Sequence, residues 1–156
     1  MKKALIVSAT AVALAVGSTT SAGAAGRGSP SATLSFLDAQ TQFVSNIPEA
    51  QAPKLGDQFW THEEFFRWNG AKRGSHLGHA DGHAVVMPGG MVEYTGIAVL
   101  PGGTVAVLGE IGQQGTFTLV VVGGTGAYAA ARGEVTVRSI GGADSNKSAD
   151  TLRLWS

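Results

Sequence analysis

The chain contains no cysteine in 156 residues, so no disulfide can staple it and the fold must rest on a packed core. Charge is sparse as well. Asp, Glu, Lys and Arg make up 14% of the sequence, balanced at eleven acidic and eleven basic residues. The basic residues are scattered and form no run, which argues against a nucleic-acid partner. No hydrophobic stretch reaches the roughly 20 residues that a membrane-spanning helix needs. Gly-x-Ser-x-Gly, the nucleophile elbow, is missing, and so is a phosphate-binding loop, leaving hydrolase and kinase-like chemistry without support. Helical segments long enough to alternate with strands are also missing, which excludes a parallel α/β sheet.

Glycine is abundant, at 23 residues. With so little charge, this points to a compact, turn-rich β protein. Lys2-Lys3, the apolar Ala4–Gly17 and the small residues ending Ala22-Gly23-Ala24 have the three parts of a signal peptide, with cleavage expected after Ala24. The protein is therefore expected to be exported and secreted. Without Lys2 and Lys3, nine basic residues face eleven acidic ones, a net charge of −2. Residues 25–32 are small and polar and read as a disordered lead-in. Residues 33–156 form one domain, and a chain of this size can bury roughly two thirds of its extended surface.

Short apolar or alternating runs punctuated by glycine and proline fill that domain. Thr33–Val44 has strand-like composition with imperfect alternation. Asp57–Trp68 carries Phe59, Trp60, Phe65, Phe66 and Trp68; we read it as a strand over the short helix that Thr61 and Glu64 would allow as a capping box. Further strands follow at Gly82–Met87, Met91–Leu100, Thr104–Ile111, Thr116–Val122, Glu134–Ile140 and Thr151–Trp155, with Gly141–Ala149 as a polar loop. About eight short strands at such spacing predict an antiparallel meander closed into a barrel or folded as a sandwich. In the last two strands Val135, Val137, Leu152 and Leu154 share one face, expected to be inward. Phe117–Val122 is apolar on both faces, so its outer side is expected to be covered by the N-terminal strand or by another subunit.

The chain is organised around Phe117–Arg138, where an apolar run meets Gly123-Gly124-Thr125-Gly126. Gly124-x-Gly126-x-x-Ala129 satisfies a dinucleotide fingerprint, but that motif needs a crossover helix within a unit of about 30 residues. Only Ala127–Arg132 separates the turn from Gly133, and alternation typical of a strand resumes at once. The glycines therefore shape a tight connection between two strands.

Gly123-Gly124-Thr125-Gly126-Ala127-Tyr128-Ala129-Ala130-Ala131-Arg132-Gly133 resembles the GGTG-x-(F/Y)-x-x-ARG signature of dirigent proteins, and the related allene oxide cyclases have a similar turn. Gly56-Asp57, the Gly74–Gly82 stretch and Leu100-Pro101-Gly102-Gly103 resemble secreted actinobacterial members of the same superfamily. The resemblance spans most of Leu55–Trp155. It implies an all-β fold: an eight-stranded antiparallel β-barrel of calycin type with an apolar lumen. It also implies a homotrimer that steers or catalyses cyclisation or isomerisation of a small hydrophobic molecule, without a cofactor. The sequence departs from the plant members in lacking their cysteines and in having Ala129 where an arginine often stands.

Candidate site residues follow from the strand pattern. Adjacent strand residues face opposite sides, so one of Glu63 and Glu64 turns toward apolar surroundings, where a carboxyl can serve as general acid or base. Glu64, Tyr94, Glu110 and Arg132 are the candidate catalytic residues, with Arg132 placed to hold an oxyanion at the barrel mouth. Phe59, Trp60, Phe66 and Tyr128 are the candidate ligand-binding residues. His76, His79 and His83 invite a metal reading, but in an extended chain residues 79 and 83 lie roughly 13 Å apart, too far to share an ion. Glu134 and Arg138 read as surface charges. Two alternatives use the same barrel: a lipocalin-like carrier of a hydrophobic metabolite, or an envelope protein whose barrel is filled.

Overall fold

A computed structural model of the chain describes residues 30–48, 51–111, 115–141 and 145–155. The leader, its cleavage site and most of the lead-in lie outside the described residues. Eight strands form one closed sheet: β1 (Ala32–Ser45), β2 (Gln58–Trp68), β3 (Arg73–Val86), β4 (Val92–Leu100), β5 (Gly103–Ile111), β6 (Thr116–Gly124), β7 (Arg132–Ile140) and β8 (Lys147–Trp155). Each pairs antiparallel with the next, and β1 closes the barrel on β8 through Ala32↔Leu154 to Ala39↔Lys147. Closure removes the unpaired sheet edges that otherwise invite aggregation. Among the described residues no helix is long and apolar enough to cross a membrane.

Two strands are longer than local composition indicates. The glycine-rich Gly74–Gly82 stretch is not a loop but the first part of β3, paired with β2 on one side and, from His79 onward, with β4 on the other. Hydrogen bonding along both edges overrides the weak strand propensity of its glycines. Likewise β8 begins at Lys147, because Ser148 and Asp150 alternate with Leu152 and Leu154 on the inner face despite their polarity. Asp57–Trp68 is strand from Gln58 onward, so Thr61 and Glu64 cap no helix.

At one end of the barrel the GGTG turn docks on the neighbouring turn. The Thr125 N–H donates to Thr104 O at 3.0 Å and the Ala127 N–H to Gly102 O at 2.8 Å, docking the β6–β7 connection on the β4–β5 turn. Gly126 sits at φ +59, and a Cβ there would lie 2.2 Å from Gly102 O. Left-handed backbone and lack of space both demand glycine.

Phe36, Phe65, Leu77, Val105, Leu119 and Leu152 fill the lumen toward that end. The Phe36 and Phe65 rings are 4.6 Å apart. Each such side chain contributes roughly 1.5–3 kcal/mol through burial. Val135, Leu152 and Leu154 are buried and Val137 packs against them, as the alternation predicts. A small second cluster, Leu37, Ala39 and Phe66, lies on the opposite face of β1 and β2. This explains the imperfect alternation of β1, which buries residues on both faces and shifts register between Gln40 and Gln42. The N-terminal strand does not cover β6: β1 lies between β2 and β8, and Val120 and Val122 remain 56% and 59% exposed.

Candidate functional site in the barrel lumen

The parity of β2 decides which carboxylate enters the lumen. Phe65 packs with Phe36 in the core, so Thr61 and Glu63 share its side, while Trp60, His62, Glu64 and Phe66 face outward. Glu63, not Glu64, is the lumenal acid. Tyr94 on β4 reaches it across β3, its hydroxyl donating to Glu63 Oε2 at 3.2 Å. Gly82 and Gly96, paired across β3 and β4, make this possible. A Cβ on Gly82 would lie 2.3 Å from the Tyr94 hydroxyl, and one on Gly96 would lie 2.8 Å from it. The tyrosine ring therefore occupies the space of two missing side chains.

Two further acids join Glu63. Asp38 on β1 and Asp150 on β8 share the inner face with Phe36, and register places them diagonally across the β1–β8 pair. Asp150 is 4% exposed. The Oδ1 atoms of Asp38 and Asp150 have no hydrogen-bond partner among the described residues. Asp38, Glu63, Asp150 and Tyr94 thus form a polar arc across β8, β1, β2 and β4, with Asp150 in register with Phe36 and Asp38 with Phe65. Half-buried Phe59, Val92, Ile111, Phe117 and Val137 also pack against the core cluster.

The arc resists ionisation. Burial pushes Asp38 up to about 9, and the charges of Glu63 and Asp150 add to the shift. Burial lifts Asp150 to about 7, opposed by the Ser148 hydroxyl and reinforced by Glu63. Burial also raises Glu63, which the Thr61 and Tyr94 hydroxyls partly offset. Tyr94 is raised by burial and by the neighbouring Glu63 charge. Carboxyls held protonated near neutrality can donate a proton or a hydrogen bond to an oxygen that gains negative charge.

The other sequence-predicted residues lie elsewhere. Tyr94 is in the arc, but Glu64 stands on the outer face, where hydrogen bonds from His76 (2.6 Å) and then His62 (3.3 Å) hold its carboxyl below the usual range. Glu110 is exposed on the outer face of β5, opposite Glu93. Arg132 is exposed at the start of β7, opposite Trp155 and at the GGTG end, far along the barrel from the acids. Among the candidate ligand-binding residues, Phe59 faces inward at the acid end. Trp60 is 43% exposed and stacks on His83 outside, and Phe66 lies outside beneath the Arg73 guanidinium. Tyr128 donates to Pro101 O at 3.0 Å and lines an apolar pocket of about 230 Å³ with Leu34, Leu152 and Leu154 at the GGTG end.

Asp38 and Asp150 were the residues missed. Alternation carried the signal: Asp150 sits two residues before Leu152, and Asp38 two after Phe36. His62 is clasped on the outer face between Asp81 (2.7 Å) and Glu64, which raises its pKa, chiefly through the Asp81 bond. Among the described residues no three His, Asp or Glu side chains are arranged to hold a metal ion.

No family model matches the chain, and no curated protein matches it in sequence. Solved structures match its fold. A pyocyanin demethylase superposes with a TM-score of 0.65 at 20% identity, covering 79% of this chain and 99% of the other. AbnU, an exo-specific intermolecular Diels-Alderase, gives 0.59 at 18% identity over 78% and 98%. The pterocarpan synthase dirigent protein PsPTS1 gives 0.60 at 14% identity over 79% and 92%. The fold is that of the dirigent and cyclase barrels, as the GGTG…ARG resemblance implies.

Proposed function

We propose that this protein is an exported barrel that binds a small apolar molecule at the acid end of its lumen and guides or catalyses its cyclisation or isomerisation. The observation that carries the proposal is the set of inward-facing carboxyls of Asp38, Glu63 and Asp150 beside apolar walls, with the Oδ1 atoms of Asp38 and Asp150 buried and without a hydrogen-bond partner among the described residues. Phe36 and Phe65, the register partners of Asp150 and Asp38, form one wall of the site. The walls hold it in a reactive conformer, and a carboxyl proton or the Tyr94 hydroxyl stabilises negative charge as it develops on a substrate oxygen. The likeness to Diels-Alderase and dirigent barrels supports this choice over a passive carrier. The fold itself hosts several activities, so the lumenal acids carry the argument.

The reading includes a homo-oligomer, for which a trimer is the expected form. Ile97, Val99, Leu108, Val120 and Val122 are exposed on the outer faces of β4, β5 and β6. Such a contiguous aliphatic face is typical of a protein–protein contact. Native mass spectrometry of the protein purified from its producing cells tests both parts. The expected species is a trimer carrying a small molecule of low polarity. A ligand-free monomer that also fails to take up a neutral apolar dye would remove the proposal.

A further inference from the structure

Three carboxyls face one lumen, and among the described residues none has a basic partner. Among the described residues no lysine, arginine or histidine forms an ion pair with Asp38, Glu63 or Asp150; the ion pairs present lie on the outer surface. The inner faces of β3, β5, β6 and β7 contribute no titratable side chain at this level: Ala80, Gly82 and Ala84, Val107 and Ile111, Phe117 and Leu119, and Val135 and Val137 stand there. Asp57, at the start of β2, is committed to the Lys54 N–H at 2.8 Å. Arg67 is exposed and lies beyond Phe65, toward the GGTG end. His62 backs onto Glu63 only from the outer face of β2, clasped by Asp81 and Glu64.

We infer that the lumen selects an organic cation: a small aromatic or apolar molecule carrying a delocalised or quaternary nitrogen charge. This rests on the ligand-binding function proposed above and adds the charge of the guest. Two independent features point to it. Asp150 is almost wholly buried on the inner face of β8, and its Oδ1 has no hydrogen-bond partner among the described residues. Around the arc stand aromatic faces, Tyr94 within it and Phe59 and Phe117 among the half-buried packing residues, the groups that bind diffuse cations best. A metal ion is the poorer fit, since the acids are spread over three strands and do not converge as a metal's ligands must. A broad organic cation spans that spacing, and its charge offsets the carboxylates while its body meets the apolar walls.

The test compares three probes of one shape: 1-methylquinolinium (a permanent cation), 1-methylnaphthalene (its neutral isostere) and 1-naphthoate. Binding is measured by fluorescence titration from pH 5 to 9. At pH 8 the cation is expected to bind about tenfold tighter than the neutral probe or more, and the anion weakest. The cation's affinity should rise with pH as Asp150, near 7, and then Asp38, near 9, give up their protons. The neutral probe should show no such rise. Asp150→Asn and Glu63→Gln should flatten the cation's advantage and keep the neutral probe's affinity, with circular dichroism confirming the fold. If the neutral probe binds as well as the cation or better, the inference is overturned and the apolar-ligand function stands. If no probe binds, both fall together.

Discussion

Replacing Asp150 by asparagine stabilises the barrel at pH 8 by roughly 2–4 kcal/mol and changes it little at pH 4. The argument is one of linkage. In the unfolded chain the Asp150 carboxyl loses its proton near 3.8, whereas in the barrel burial holds the proton until about 7. Below about pH 4 both states are protonated and the group is neutral to stability. Between the two values the unfolded chain has released its proton and the folded one has not, so stability falls as pH rises. Above about 7 the whole difference has been lost. Three pH units at about 1.4 kcal/mol each set the upper limit. Asparagine keeps the shape and removes the charge, so it gains most where the wild type has lost most. Asp38 extends the wild-type decline toward about 9. Urea titrations of both proteins at pH 4, 6 and 8 measure the effect. Equal shifts at all three pH values would mean that Asp150 is not a displaced acid.

Under the proposed function, Glu63→Gln is expected to lower conversion of the barrel's small-molecule substrate by about 10²–10⁴-fold, and Glu64→Gln to change it less than about threefold. Both are adjacent carboxylates on β2, and only parity separates them. Glu63 lies inside, takes the Tyr94 hydroxyl at 3.2 Å and has its pKa raised by burial. Glu64 lies outside between His62 and His76 and is held ionised, which suits neither proton donation nor contact with a lumenal guest. Product formed per unit time by each variant, at saturating and at limiting substrate, separates turnover from binding. A large loss in Glu64→Gln with Glu63→Gln intact would place the chemistry on the outer surface.

The fold was legible because its punctuation is local. Asn69-Gly70 and Pro88-Gly89-Gly90 fall between strands, Pro101-Gly102 turns β4 into β5 at Gly103, and the GGTG turn connects β6 to β7 as its spacing requires. What local pattern could not supply was parity in β2, where Phe65 and Phe66 are equally apolar and only the tertiary partners, Phe36 inside and Leu37 outside, distinguish them. That one-residue ambiguity moved the candidate acid from Glu63 to Glu64. The glycines of β3 were misleading for a related reason. Gly82 makes room for a tyrosine from the next strand, and in sequence such a glycine is indistinguishable from one in a loop. Arg132 and Tyr128 belong to a recognisable signature that lies at the GGTG end of the barrel, away from the acids. Asp38 and Asp150 were readable from alternation alone, but polar residues on an apolar face suggest a frayed strand before they suggest a site.

The account depends on buried acids that keep their protons near neutrality, and carbon-detected NMR titration of the Asp and Glu side-chain carboxyls measures this directly. With every carboxyl followed from pH 3 to 10, Asp150 should titrate near 7 and Asp38 near 9. Glu63 should fall above the ordinary carboxylate range and Glu64 below it. If all four titrate together between about pH 3 and 5, as free carboxylates do, the lumen holds no proton-bearing cluster and the proposed chemistry has no acid to perform it.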